Sequence, residues 1–359
     1  MPSGQTATQG VTEGNSTYNK HASLQAAGAA LALPLLEKAA RAIDLGPPEQ
    51  PLVIADYGSS QGKNSLVPMQ IAIGVLRARA GPERPILVFH SDQPANDFNA
   101  LFETLGSDPG EYVGADRNVF PCAIGRSFYG AVLPRDYAHI GWSSYAAIWL
   151  SRVPMTIPGH FFATCSTGAV REAFARQARQ DWESFLSLRA RELRDEGRLV
   201  VALPAVNDDG SYGPAALMDH ANAALSEMVD AGEIAPQERA QMVVGSYVRQ
   251  RRDLLAPFTP NGRFAGLTVE HCAIDALPHP AWVNFEKHGD KDALAADLAR
   301  FFRATFVPSL AIALAGSRRV EERRAFGDRL ESRLQQRLAR DPVPSIYAVV
   351  TFVAAKRGR

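Results

Sequence analysis

The sequence predicts an α/β protein: a parallel sheet of seven strands with helices packed on both faces. Two observations predict it. Apolar runs bounded by turn residues recur at 51–57, 85–91, 119–125, 137–143, 198–204, 267–273 and 346–354. Helical patterns separate most of them, and strand–helix alternation is the mark of parallel strands joined by crossover helices.

Taken in order, "PLVIADY" (51–57) is a continuous apolar run closed by Asp56 and followed by the glycine-rich turn "GSSQG". Apolar positions spaced three and four apart over 65–80 predict the helix that follows. "PILVFHS" (85–91) ends at Asp92, and "VFPCAIG" (119–125) and "YAHIGWS" (137–143) supply the next two strands. Residues 166–195 carry the same helical spacing, with Asp, Glu and Arg on the opposite face, and lead into "RLVVALP" (198–204). Residues 207–262 are helical with loops and hold no strong strand, so they read as a helical cap inserted over the sheet's carboxyl edge, with contributions from about 151–180. The last two runs, 267–273 and 346–354, return to the sheet. The core is therefore expected over 15–206 plus 263–359, with 1–14 a flexible polar lead-in.

Lys and Arg together number 38, as do Asp and Glu, so no basic field is available for nucleic acid or an anionic membrane. No run of about 18 apolar residues is present, and the amino terminus lacks the apolar segment of a secretory signal. Cys122, Cys165 and Cys272 are odd in number and far apart, which fits a reducing, cytoplasmic setting. The histidines show no paired-ligand spacing, and no metal is expected.

The turn after the first strand admits three readings. Gly58-Ser59-Ser60-Gln61-Gly62 is G-x-S-x-G, which would make Ser60 a hydrolase nucleophile with Asp275 and His279 as nominal partners. No oxyanion-loop motif precedes it. Gly58 to Lys63 is one residue short of a phosphate loop, with Asn64 where Ser or Thr belongs. The third reading is a nucleoside site. Gly58 lets the chain turn tightly against a ligand, and Asp92, at the end of the next strand, can accept two ribose hydroxyls. Asp92 lies 34 residues after Gly58 and the G-x-G-x-x-G spacing is missing, so a pyrophosphate is not the expected guest. By itself, Asp92 could equally cap a turn.

Longer segments favour the third reading. "YNKHASLQ" (18–25), "IADYGSSQGKNSL" (54–66), "DQPANDFNALF" (92–102), "GRSFYGAVLPRDYAHIGWSSYAAIWLSRVP" (125–154) and "FLSLRARELRDEGRLVVAL" (185–203) occur in this order. With them the chain resembles the SABATH family of plant-type carboxyl methyltransferases (salicylate, benzoate, jasmonate and theobromine-type enzymes) over 15 to about 355. The resemblance implies a Rossmann-like methyltransferase sheet with a helical cap, S-adenosyl-L-methionine (SAM) as cofactor, S-adenosyl-L-homocysteine (SAH) as product, and a homodimer. It places Asp56, Gly58 and Ser59 under the methionine part, with Asn64 just beyond. It gives Asp92 to the ribose with Gln93 beside it, Ser127 and Phe128 to the adenine, Ser143 to the methionine end, and Tyr18 to a closing segment. Gln25 and Trp149 would position the substrate carboxylate, with Ser144 and Tyr145 lining its pocket. Ala22 and Trp142 stand where the family has Ser and His, and Ser59 where plant members have Cys.

These residue types suit methyl transfer to a carboxylate. An acid of pKa about 4 is already a nucleophile at neutral pH, so no general base is needed. Holding it in line with the sulfonium can supply roughly 7–11 kcal/mol of the barrier. Gln25 and Trp149 are neutral N–H donors, which bind the carboxylate without quenching it as a cation would. Other readings stay open at this stage. Tyr145, Ile148, Trp149 and Arg152 have the spacing of an ordinary amphipathic helix, Phe128 could be core, and Gln25 could face solvent. N-methylation of a purine-like molecule would use the same cofactor site. A serine hydrolase at Ser60, or a fold kept as a binding scaffold, are the alternatives of other classes.

Overall fold

The computed structural model describes residues 23–107, Tyr112, Gly114 and 116–358. Tyr18 and the lead-in over 1–14 lie outside the described residues. The strands are β1 (Leu52–Tyr57), β2 (Ile86–Asp92), β3 (Val119–Gly125), β4 (Ala138–Ser144), β5 (Leu193–Ala205), β6 (Arg263–Phe264), β7 (Leu267–Pro278) and β8 (Ile346–Lys356). All seven expected runs are strands, and β6 adds a short hairpin partner to β7. The helices are α1 (Ser23–Ala30), α2 (Leu33–Ala42), α3 (Lys63–Ala80), α4 (Phe98–Ser107), α5 (Gly168–Glu192), α6 (Ala215–Asp230), α7 (Pro236–Gln241), α8 (Arg251–Leu255), α9 (Pro280–His288), α10 (Lys291–Ala311) and α11 (Val320–Arg340).

One sheet runs in the order β3-β2-β1-β4-β5-β8-β7-β6. The first five strands are parallel, but β8 is antiparallel to both β5 and β7. The sheet is therefore mixed, not parallel throughout. Apolar runs report burial on both faces and carry no record of strand direction, which is why the sequence did not show the reversal.

Each strand serves two cores because its side chains alternate. On one face Leu52, Ile54, Ile86, Val88, Ile140 and Val200 meet α2, α3 and α4. On the other, Val53, Ala55, Tyr57, Val201, Leu203 and Phe352 meet Trp182, Phe185 and Leu186 of α5. Near the carboxyl ends of the parallel strands a third core joins α6, α10 and α11 to Leu24, Phe161, Phe162 and Tyr347. Helices α9 to α11 lie between the last two long strands and were not foreseen; α10 and α11 pack with α6, from the region expected to cap the sheet.

The stretch after β4 is not a helix. Tyr145 has φ +59°, and the chain makes a turn in which the Trp149 N–H donates to the Ala146 carbonyl at 3.1 Å. The spacing of Tyr145, Ile148 and Trp149 is that of a helix, but the chain leaves the sheet here to serve two cores at once. The Trp149 ring packs against both the α5-side core and the third core.

Candidate active site

In a sheet ordered 3-2-1-4-5 the connections leave β1 in opposite directions on its two sides, and a crevice opens beyond its carboxyl end. Several of the expected residues lie there. Asp56 pairs in register with His90 of β2 and with Trp142 of β4, and Asp92 pairs with Gly125 of β3. Asp56, Asp92, Ser127 and Ser143 thus stand at or just past the ends of four adjacent strands. A small cleft is lined by Asp56, Gly58, Ser59, Ser60, Asn64, Trp142 and Ser144, among others.

The turn is left-handed at three places: Gly58 (φ +90°), Ser60 (φ +49°) and Gly62 (φ +87°). At Gly58 a side chain has no room, since a Cβ would fall 2.2 Å from that of Ala146 and 3.7 Å from the Phe128 ring. Ser60 pays for its conformation (a strain of roughly 1–3 kcal/mol) through bonds from β2 and its following loop. The Ser91 carbonyl accepts the N–H groups of Gly58 (2.8 Å) and Ser59 (3.1 Å). Asp92 Oδ2 accepts the Ser60 N–H at 2.7 Å, and Asn96 Nδ2 donates to the Ser60 carbonyl at 2.8 Å. The Ser59 hydroxyl is buried and has no partner.

Asp92 therefore has two duties. One oxygen holds the turn, and Oδ1 accepts the Gln93 N–H at 2.7 Å. Desolvation lifts its pKa to about 6, aided by nearby Asp56 and opposed by the two backbone N–H groups. Asp56 lines the cleft and is also tied into the structure beneath it. It is 2% exposed, and its Oδ2 accepts from the Ser65 hydroxyl (2.5 Å) and meets His90 Nδ1 (3.0 Å). His90 Nε2 in turn meets the Tyr112 hydroxyl at 2.5 Å. Ser65, His90 and Tyr112 were missed by sequence reasoning. The one available signal was a histidine inside the apolar run "PILVFHS", beside a strand ending in Asp.

The remaining residues divide into those that face the crevice and those that support it. Ser143 is fully buried and donates to the Tyr57 carbonyl at 2.9 Å, tying β4 to β1. Ser127 is exposed, and its hydroxyl accepts the Tyr129 N–H at 3.2 Å. The Phe128 ring borders Gly58 and packs edge-on against Phe185. Its carbonyl accepts from Arg189, a fully buried guanidinium paired with Glu192 at 2.9 Å and lying over the Tyr57 ring. Gln25 does not face solvent: it is 5% exposed and its Oε1 has no partner. The Tyr145 hydroxyl lies against Gly28, one turn along the same helix, where a Cβ would come within 2.0 Å of it.

Ser60 is not a triad nucleophile with the nominated partners. Asp275 lies on β7 and His279 just beyond it, with β4, β5 and β8 between β7 and β1. At the strand spacing of a sheet that is about 19 Å. His90 is nearer, but both its ring nitrogens are engaged. Among the described residues, His160, Cys165 and Asp219 bring metal-type donor atoms within 4.8 Å of one another. His160 Nδ1 accepts the Phe162 N–H, so in the neutral ring the proton sits on Nε2, which faces Asp219 at 3.4 Å. That nitrogen carries the ring proton and has no lone pair to offer a cation.

A 3-2-1-4-5 parallel core, a side-chain-free approach at Gly58 and an acid at the end of β2 define the methyltransferase class of nucleoside-cofactor folds. The chain belongs to the family of SAM dependent carboxyl methyltransferases, the SABATH type, whose sequence profile matches residues 5–354. It is 31% identical over 250 residues to Methyltransferase LUC1 of Fusarium sp., covering 67% of this chain and 64% of that protein, a little under two thirds of its length. It is 28% identical over 313 residues to the salicylate carboxymethyltransferase of Clarkia breweri, covering 83% of this chain and 84% of the relative. The structure of loganic acid methyltransferase with SAH superposes with a TM-score of 0.77 at 22% identity, over 97% of this chain and 99% of that one. This last likeness establishes the fold.

Proposed function

We propose that this protein transfers the methyl group of SAM to the carboxylate of a small-molecule acid, releasing a methyl ester and SAH. The observation that carries it is the buried Gln25 side chain, 5% exposed, set on the helix that Tyr145 reaches from the end of β4. The Nε2 of such an amide is a neutral donor suited to a carboxylate oxygen.

The residues present fit SAM. Gly58 lets backbone approach the cofactor, Ser59 offers an unpaired hydroxyl, and Asn64 lines the same cleft. Asp92 keeps acceptor capacity for ribose hydroxyls after its two backbone bonds, with Gln93 beside it. Phe128 and Ser127 would border the adenine, and Tyr18 would close over the cofactor. Ser143 would act through the strand ends it ties together; Asp56 would act through Ser65 and His90. When bound, SAM supplies an electrophilic sulfonium methyl. Trp149 and Gln25 would orient the acid, Ser144 and Tyr145 would line its pocket, and the core of α6, α10 and α11 would form the roof that excludes water. Cation and anion neutralise each other in the reaction, so a dry pocket favours it. Further expectations of this reading are a homodimer and a cytoplasmic location; among the described residues no helix is long and apolar enough to cross a membrane.

Calorimetric titration with SAH, then methyl transfer from labelled SAM to a panel of acids, tests the reading. SAH should bind and raise the melting temperature as linkage requires. Absence of any binding at millimolar SAH would sink it.

A further inference from the structure

The turn that carries Tyr145 and Trp149 is irregular, so its buried backbone groups must find partners outside a regular ladder. The Tyr145 N–H donates to the Ala202 carbonyl of β5 at 2.8 Å, and the Leu150 N–H donates to the Gly245 carbonyl at 2.8 Å. Between them three successive carbonyls accept from three different donors. Ala147 accepts from Arg249 Nη1 at 2.6 Å, Ile148 from the Tyr247 N–H at 3.0 Å, and Trp149 from the Tyr129 hydroxyl at 2.5 Å. The first two donors belong to one short segment, 245–249, and Arg249 is itself fully buried and tied to the Ala178 carbonyl of α5 at 2.9 Å.

The third donor comes from elsewhere. Tyr129 follows Ser127 and Phe128 in the loop after β3, so its hydroxyl joins the segment proposed for the adenine to the segment proposed for the acid. Tyr129 is well fixed at its own end. Its N–H donates to the Ser127 hydroxyl at 3.2 Å, and its ring packs on Phe128 with centroids 4.8 Å apart. Arg189 donates to the Phe128 carbonyl at 2.8 Å and to the Gly130 carbonyl at 3.2 Å, which holds the loop on both sides of Tyr129. Burial raises the phenol's pKa above its ordinary value, so the hydroxyl keeps its proton to donate at neutral pH. A phenylalanine here would retain the contact with Phe128 and the clamp from Arg189, and would lose the tie to Trp149.

We propose that Tyr129 is a positioning residue for methyl transfer, its hydroxyl fixing the Trp149 main chain against the adenine loop and so setting the indole N–H at the distance from the cofactor that the acid requires. This rests on the carboxyl-transfer reading above and gives Tyr129 no contact with SAM or with the acid. In-line transfer is sensitive to such placement: a shift of about 1 Å in a group that aims a reactant can cost roughly 100-fold in rate. The other bonds of the turn remain when the Tyr129 bond is lost, so Trp149 is loosened and the turn is kept.

The test is a double-mutant cycle of Tyr129→Phe and Trp149→Ala, read with the best acid of the methyl-transfer panel. Tyr129→Phe alone should lower kcat about tenfold and leave SAH affinity within about twofold of wild type. Once Trp149→Ala has removed the indole that Tyr129 aims, adding Tyr129→Phe should cost less than about twofold, because residues that act through one another are non-additive. A second readout needs no substrate. The chain has four tryptophans, Trp142, Trp149, Trp182 and Trp282. With fluorinated tryptophan incorporated, the fluorine NMR line missing from Trp149→Ala identifies Trp149; in Tyr129→Phe that line should broaden or split while the other three keep their positions. Additive losses, an unchanged kcat or an unchanged Trp149 line would overturn the role of Tyr129 and leave carboxyl transfer intact. So would a Tyr129→Phe chain that fails to fold or to bind SAH, since the bond would then serve the fold at large. If wild type binds SAH but methylates no acid, the carboxyl-transfer reading falls and this inference falls with it.

Discussion

Asp92 Oδ2 sits 2.7 Å from the backbone nitrogen of Ser60, so the acid at the end of β2 holds the left-handed residue of the turn after β1. The expected ribose acceptor and the turn beneath the methionine part are thus one mechanical unit. A substitution at Asp92 should disturb both.

The first prediction follows from that unit. Asp92 titrates near pH 6 because burial disfavours its charge. Ribose hydroxyls donate to the ionised form, so SAH affinity should fall as pH drops through about 6. Asp92→Asn should bind at least tenfold more weakly, with affinity flat from pH 5 to 8. Calorimetry with SAH, which has no group of its own titrating in that range, reads this directly; a wild-type affinity independent of pH would contradict it. The sign for stability is opposite. The folded pKa lies above the ordinary carboxyl value, so the ligand-free protein binds the extra proton when folded and should lose stability as pH rises from about 4 to 6.

Gly58 and Gly74 make a matched pair. Gly58 has φ +90° and no room for a Cβ, whereas Gly74, exposed within α3, has nothing within 4 Å. Gly58→Ala should cost about 1–3 kcal/mol and abolish SAH binding. Gly74→Ala should gain about 0.5–1 kcal/mol from helix propensity and leave binding alone. Denaturant melts with and without SAH distinguish the two.

Arg189 and Glu192 are buried and bind to each other, and through Phe128, Gly130 and Val132 they hold the loop that follows β3. Arg189→Met leaves the Glu192 carboxylate uncompensated and should cost about 3–5 kcal/mol. Adding Glu192→Gln should recover part of that loss. A double mutant no more stable than Arg189→Met would show that the loss comes from packing, not charge.

Glu238 fixes the third core's outer rim. It accepts from Arg318 at 2.5 Å and from the Ala315 and Ala235 N–H groups, and the Arg318 bond leads in holding its pKa down to about 2. Since the folded pKa lies below the ordinary value, its contribution is present above about pH 4.5 and is lost as pH falls towards 2. Glu238→Gln should flatten that part of the acid-unfolding curve, followed by circular dichroism.

Cofactor and acid sites should separate cleanly. Trp149 packs between two cores at the proposed acid site, beyond the turn at 58–62. Trp149→Ala should cut methyl transfer at least tenfold while SAH still binds; loss of SAH binding with the fold intact would place Trp149 at the cofactor instead.

Much of this was legible in the chain. "PLVIADY" reads as a strand because a short apolar run ends at a glycine turn, and all six residues of β1 are buried. The glycine turn and Asp92 were visible as local chemistry, and the long segments around them carried the family. What stayed hidden depended on partners distant in sequence. Nothing local to Asp56 shows that His90 and Ser65 engage it. Trp149 reads as a helical core residue until the chain is seen to turn. The antiparallel entry of β8 between β5 and β7 has no local signature at all.

The sequence by itself determined which segments are buried, where the backbone must turn without a side chain, and the family to which those segments belong. Local sterics and apolar periodicity act over a few residues, so they are written in order along the chain. Only the tertiary structure decided which partners Asp56 and Asp92 engage, and which buried hydroxyls remain unpaired. Hydrogen-bond satisfaction is a property of three-dimensional neighbours, and the tie from Asp56 through His90 to Tyr112 exists only once β1 and β2 are paired.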